Sequence, residues 1–144
     1  MKPKISFKKI NNTDEQLNYL YDSLKKRKFN VSHHDIPSFS EHKDFVLDNP
    51  YRVWVLLYIS DKLAGNLYIQ KDNTIGLHIK DEYINFFPNI IESVLLKWQP
   101  LPGIKSVRND KFIMNVAAGD EKKTSILKNL GAKKIQTSFL LDLK

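Results

Sequence analysis

The sequence predicts an α+β fold, a mixed and largely antiparallel central sheet flanked by about four helices, in the order β-α-α-β-β-β-α-β-α-β. Three observations predict it. The chain has 144 residues, which fits one domain over 1–144, and a chain of that size buries roughly 68–70% of the surface its unfolded form exposes. At Arg52 the apolar pattern changes from helical spacing to a nearly continuous β-branched and aromatic run, Val53-Trp54-Val55-Leu56-Leu57-Tyr58-Ile59. A helical stripe of Phe87, Ile90, Ile91, Val94, Leu95 and Trp98 then separates this strand-rich middle from a later strand–helix–strand segment.

Each element has a local cause. Residues 5–10 read as a short first strand. Thr13-Asp14-Glu15-Gln16 fits a capping box, with Leu17, Leu20, Tyr21 and Leu24 at helical spacing behind it and a basic last turn at 25–28. Ser38-Phe39-Ser40-Glu41 repeats the capping pattern, and Asp48-Asn49-Pro50 ends that helix because the residue before proline resists helical geometry. The run from Arg52 reads as a strand buried on both faces. Ser60-Asp61-Lys62 turns it into a hairpin partner over 63–70, and Lys71-Asp72-Asn73 turns again into a third meander strand over 74–79. Pro88 is tolerable in the next helix only in its first turn. Residues 112–116 read as a strand, Asp120 as a helix cap, and Ile126, Leu127 and Leu130 as that helix's apolar side. Gly131 falls where a left-handed C-cap belongs. Ile135, Thr137, Phe139, Leu141 and Leu143 then alternate as a final strand.

Composition excludes several classes. There are no cysteines, so disulfides, cysteine-ligated zinc, iron–sulfur clusters and a thiol nucleophile are ruled out. The longest apolar run falls far short of the ~20 residues needed to span a bilayer, and no apolar signal-peptide core follows Met1-Lys2-Pro3-Lys4. A cytoplasmic protein with no membrane partner is the expectation. Lys and Arg total 23 against 16 Asp and Glu, a formal charge of +7. No aromatic-interleaved basic stripe or helix-turn-helix pattern accompanies it, which argues against a nucleic-acid partner. His33-His34-Asp35 is no metal site on sequence grounds, because adjacent histidines diverge and no third ligand sits nearby at helical spacing.

Several phrases, with the element order, resemble the GNAT superfamily of acyl-coenzyme A-dependent N-acyltransferases. Residues 62–69, KLAGNLYI, look like that family's strand after a turn, and residues 74–79, TIGLHI, look like its central strand. Residues 115–120 and 127–132 look like its closing segment, and residues 36–42, IPSFSEH, look like a phrase of members that acetylate amino sugars. The resemblance implies acetyl-CoA as co-substrate, bound where the fourth and fifth strands splay apart, and a small amine as acceptor. It places Leu77, His78 and Ile79 along the pantetheine arm, one backbone N–H there stabilising the developing oxyanion, with Asn115 facing them. The family's pyrophosphate loop, R/Q-x-x-G-x-G/A, falls on Ile84-Asn85-Phe86-Phe87-Pro88-Asn89. The cofactor candidates are therefore Leu77, Ile79, Lys80, Asn85, Phe86, Phe87, Asn89 and Asn115.

The departures are equally specific. Ile84 stands for Arg or Gln, Phe87 and Asn89 stand for the glycines, and Pro88 has no N–H. Asp120 stands for Asn, Lys123 for Ser and Ala132 for Phe, and Leu127 stands where many members carry the tyrosine that protonates the leaving thiolate. The residues themselves offer three catalytic candidates, His78 as a base near neutral pH and Glu82 or Tyr83 as base or acid. His42 is the acceptor-binding candidate. Two readings follow: an acetyl-CoA-dependent N-acetyltransferase acting on a small amine such as an amino sugar, or a catalytically inactive GNAT-fold binding or structural module that has lost coenzyme A binding, its cleft taking another ligand or its exposed fifth-strand side pairing with a second subunit in a homodimer.

Overall fold

The computed structural model describes residues 2–26 and 36–143. Five strands lie in the order of the chain: β1 (Ile5–Lys9), β2 (Val53–Ile59), β3 (Lys62–Ile69), β4 (Thr74–Ile79) and β5 (Ile113–Met114). The first three pairings are antiparallel and β4–β5 is parallel. Helices α1 (Asp14–Lys25) and α2 (Phe39–Leu47) precede β2, α3 (Phe87–Lys97) connects β4 to β5, and α4 (Glu121–Asn129) follows β5. The expected α+β class and largely antiparallel sheet are what the chain forms.

Capping chemistry sets the first two helices. Ser38 and Glu41 form the full reciprocal box. At α1 the Thr13 hydroxyl accepts from the Gln16 N–H as expected, but the Gln16 side chain accepts from Asn11 instead, and the Thr13 N–H donates to the Asn11 side chain. The box is thus stretched by two residues, and it ties β1 to the helix.

β2 is buried on both sides, as its sequence predicts. Val55, Leu57 and Ile59 join Leu67, Ile69, Leu77, Phe87, Ile90 and Val94 under α3, while Leu56 packs with Leu17, Leu20 and Val46 under α1 and α2. Both turn residues of the β2–β3 hairpin, Ser60 and Asp61, take positive φ, the geometry whose twist matches paired strands. The β2–β3 register shifts between Leu57↔Gly65 and Tyr58↔Leu63, leaving Ala64 as the extra residue of the bulge. A Cβ at Gly65 would collide with the His78 carbonyl oxygen, so only glycine lets β3 and β4 run this close.

Three expectations fail. A 3-10 helix, Asp81–Phe86, fills the segment between β4 and α3. The strand expected over 112–116 shrinks to Ile113–Met114. The final strand does not pair at all: residues 133–143 have no regular structure and are exposed throughout. Gly131 does take the left-handed cap, at φ 91, and Ala132 donates to the Leu127 carbonyl. The chain then leaves the body without returning to the sheet.

Candidate functional site

The sheet opens at β4. Its register with β5 covers only Thr74↔Ile113 and Ile75↔Met114, so among the described residues Gly76 to Ile79 have a strand neighbour on the β3 side alone. Asn73 sets the point of contact. It is fully buried with φ 70, and its carbonyl accepts from the Ile113 N–H at 3.0 Å. Its side chain donates to the carbonyls of Leu101 and Asn109 and accepts from the Leu101 N–H. One residue therefore fastens the whole return loop, and β5 diverges as soon as that anchor is passed.

Strand alternation fixes which main-chain groups face the opening. Gln70 donates to Thr74 and Lys80 donates to Ala64, both across β3–β4. Successive residues of a strand turn their N–H and C=O to opposite edges, so Thr74, Gly76 and His78 address β3, while Leu77 and Ile79 present theirs to the open edge. The main-chain groups of Leu77 and Ile79 thus lie at the open edge, whereas that of His78 is spent on the pair Asn66↔His78.

The face of β4 away from α3 carries the side chains of chemical interest. His78 sits there 6.1 Å from the Tyr68 ring, and Tyr68 stacks on Tyr51 at 4.2 Å and 14°. Tyr51 meets Trp54 edge-on at 5.1 Å, and the Trp54 indole N–H donates to the Asn66 side-chain oxygen at 3.4 Å. Gly76 makes room for this wall, since any Cβ there would strike the Tyr68 ring. Asn66 is 2% exposed, and its Nδ2 has no hydrogen-bond partner among the described residues. Such a buried, unmatched donor costs about 1–3 kcal/mol. A hollow of about 450 Å³ opens beside Tyr51 and Trp54, bounded also by Lys9, Val46 and Trp98. Sequence reasoning singled out none of Tyr51, Trp54, Asn66 or Tyr68. The signal was the cross-strand register: Trp54↔Tyr68, which depends on placing the β2–β3 bulge, and Tyr68↔Gly76 and Asn66↔His78 across β3–β4.

The other candidates scatter. His42, 6% exposed, lies in the α1–α2 contact with its ring 5.3 Å from Tyr21. Glu82 and Asn85 are exposed on the 3-10 helix, and Tyr83 and Phe86 are half-buried side by side against the α3 core. Lys80 caps that helix, its ammonium 5.9 Å from the Tyr19 ring. Asn89 is half-buried on α3, and Asn115 is exposed just beyond β5. Phe87 is 0% exposed, its side chain filling the core between α3 and the sheet. His33, His34 and Asp35, with Arg27 and Lys28, fall outside the described residues. Among the described residues no group of three metal-ligating side chains assembles, and no helix is long and apolar enough to cross a membrane.

The segment expected to cradle pyrophosphate has a different geometry. The 3-10 helix runs straight into α3, the Phe87 N–H donates to the Ile84 carbonyl, and Pro88 at the first turn offers no donor. A glycine loop turns consecutive amides toward an anion; here the Phe87 N–H is spent on Ile84 and Pro88 has none to offer.

No sequence-family model and no curated protein matches the chain. Solved structures do. A domain from Methanocaldococcus jannaschii aligns at TM-score 0.72 and 19% identity, covering 95% of this chain and 93% of that one. A ribosomal L7/L12 α-N-protein acetyltransferase in complex with coenzyme A aligns at TM-score 0.58 and 14% identity, over 88% and 78%. An aminoglycoside acetyltransferase from an uncultured soil metagenomic sample, in complex with sisomicin, aligns at 0.59 and 13%, over 99% and 97%. The chain has the GNAT fold. Within that fold β4 and β5 touch only at Thr74↔Ile113 and Ile75↔Met114 and then part, leaving the open edge at Leu77 and Ile79.

Proposed function

We propose that this protein is an acetyl-CoA-dependent N-acetyltransferase acting on a small amine, with amino sugars among the acceptors. The observation that carries the reading is the β4 edge freed after Ile75, with main-chain groups of Leu77 and Ile79 turned toward it. Those groups suit the alternating amides of a pantetheine arm. The co-substrate supplies an activated thioester carbonyl; the chain supplies positioning and a proton acceptor. The amine nitrogen forms a bond to the carbonyl carbon, the carbon–sulfur bond breaks, and the thiolate leaves. His78, between the two edge residues, accepts the proton the amine loses. Tyr51, Trp54 and Tyr68 form an aromatic wall that suits an ammonium or the apolar face of a sugar, and Asn66 Nδ2 offers its unmatched donor to an acceptor oxygen.

Thiol release from acetyl-CoA against a panel of polyamines, amino sugars and peptide amines tests this. Turnover with at least one small amine is expected, and His78→Ala should lower kcat by roughly 10²–10⁴-fold. Unchanged turnover would remove His78 as the base; no turnover with any amine would remove the enzyme reading.

One observation favours a second reading, a GNAT-fold module without coenzyme A chemistry. The helical junction at Phe87-Pro88 leaves no glycine-built cradle for pyrophosphate. Under that reading the cleft takes a ligand other than coenzyme A.

A further inference from the structure

Residues 133–143 form an unusual surface. Phe139, Leu140, Leu141 and Leu143 are 79–90% exposed and Ile135 is 57% exposed. No hydrogen bond ties any residue of this tail to another described residue. An exposed, strand-patterned apolar segment of this kind is an open invitation to pair with another chain.

The tail is also self-complementary. Ile135, Thr137, Phe139, Leu141 and Leu143 share one face of an extended chain, while Lys134, Gln136, Ser138, Leu140 and Asp142 share the other. An antiparallel pair of identical tails keeps like faces together only in registers that match odd with odd. Centred on Ser138, the register sets Lys134 opposite Asp142, Ile135 opposite Leu141, Thr137 opposite Phe139 and Ser138 opposite itself. Shifting by two residues either way sets Asp142 against Ala132 or Gln136 instead. The centred register is therefore the one in which charge, apolar face and two-fold symmetry agree.

We propose that the tails of two copies of this chain pair antiparallel across a two-fold axis at Ser138, making an isologous dimer. A two-stranded ribbon alone is marginal in water, so its apolar face needs a floor. Ile135 already borders a hollow with Ile104, Val107 and Ile113 at the root of the tail, and Ile104 and Val107 are exposed. The register delivers the partner's Leu141 to Ile135 at that hollow, beside β5. Each copy so covers the other's exposed apolar root. The inference does not depend on the acyl-transfer reading, since it concerns the tail and not the β4 edge.

The native chain has no cysteine, so single cysteines report the register cleanly. Sedimentation of the full chain should give a dimer, and Phe139→Glu with Leu141→Glu should give a folded monomer whose Tm equals that of wild type diluted until it dissociates, because neither side chain packs in its own fold. Ser138→Cys should oxidise rapidly to a covalent dimer, while Lys134→Cys, opposite Asp142, should not. Lys134→Asp should weaken the dimer at least tenfold, and adding Asp142→Lys should restore it. A monomeric wild type, tail amides protected from exchange in a monomer, an assembly indifferent to the tail substitutions, or equal cross-linking at 134 and 138 would each overturn the proposal.

Discussion

At the scale of single residues, Asn66 shows the tension between stability and function most clearly. Its oxygen is used by Trp54, its Nδ2 is buried without a partner, and it sits opposite His78 in the register. Removing an unmatched buried donor relieves its desolvation cost. Asn66→Leu removes the unmatched donor but also leaves the Trp54 indole N–H without its acceptor, so the two effects oppose and Tm should move little while KM for the amine acceptor rises several-fold; a fall in Tm of many degrees with KM unchanged would show that the side chain is only structural. Some residues were legible from the sequence and some were not, for a physical reason. The Ser38 and Glu41 box, the Asp120 cap and the left-handed Gly131 depend on neighbours in the chain, and they form as read. Asn66, Tyr68 and Trp54 acquire their roles only through cross-strand register, which a one-residue bulge at Leu57/Tyr58 resets. Phe87 had two sequence signals, a helical stripe and a loop alignment. The stripe was right because burying a phenylalanine is worth more than any local motif can impose.

At the scale of elements, the last third of the chain departs most from expectation. The strand over 112–116 and the strand over 135–143 share the alternation of β1–β4, yet one pairs over two residues and the other not at all. Alternation specifies a strand that has a neighbour; it does not provide the neighbour. β5 exists because Asn73 reaches the return loop from the turn before β4. Asn73→Ala removes three side-chain hydrogen bonds and strains a position at φ 70, so a loss of roughly 3–5 kcal/mol is expected, summing bonds at about 1 kcal/mol each with the left-handed penalty. Denaturant unfolding measures it. Asn73→Gly should recover only the part due to backbone conformation, and full stability in Asn73→Ala would show that β5 is held by something else. The 3-10 helix at Asp81–Phe86 has the same lesson: each of its residues is locally neutral, and the half-buried Tyr83, Ile84 and Phe86 fix it by packing on the α3 core.

At the scale of the whole molecule, the fold and the chemistry separate. The two-sided burial of β2, the α3 stripe and the order of elements were readable because they arise from periodicity, and they make a GNAT fold although no sequence-family model matches the chain. The net charge of +7 favours anionic ligands without choosing one. What remains specific is the contrast along one cleft: an open β4 edge at Leu77 and Ile79, and a helical junction at Phe87 and Pro88 where a phosphate cradle is expected. The central claim is that the open edge suffices to bind an acyl-CoA. Calorimetric titration of the purified chain with acetyl-CoA and with desulfo-CoA measures this directly. Micromolar, one-to-one binding of both is expected, weakened little by salt because the pyrophosphate contributes less than the pantetheine arm. No heat and no thermal stabilisation at millimolar ligand would contradict it and leave a GNAT fold whose cleft serves another ligand.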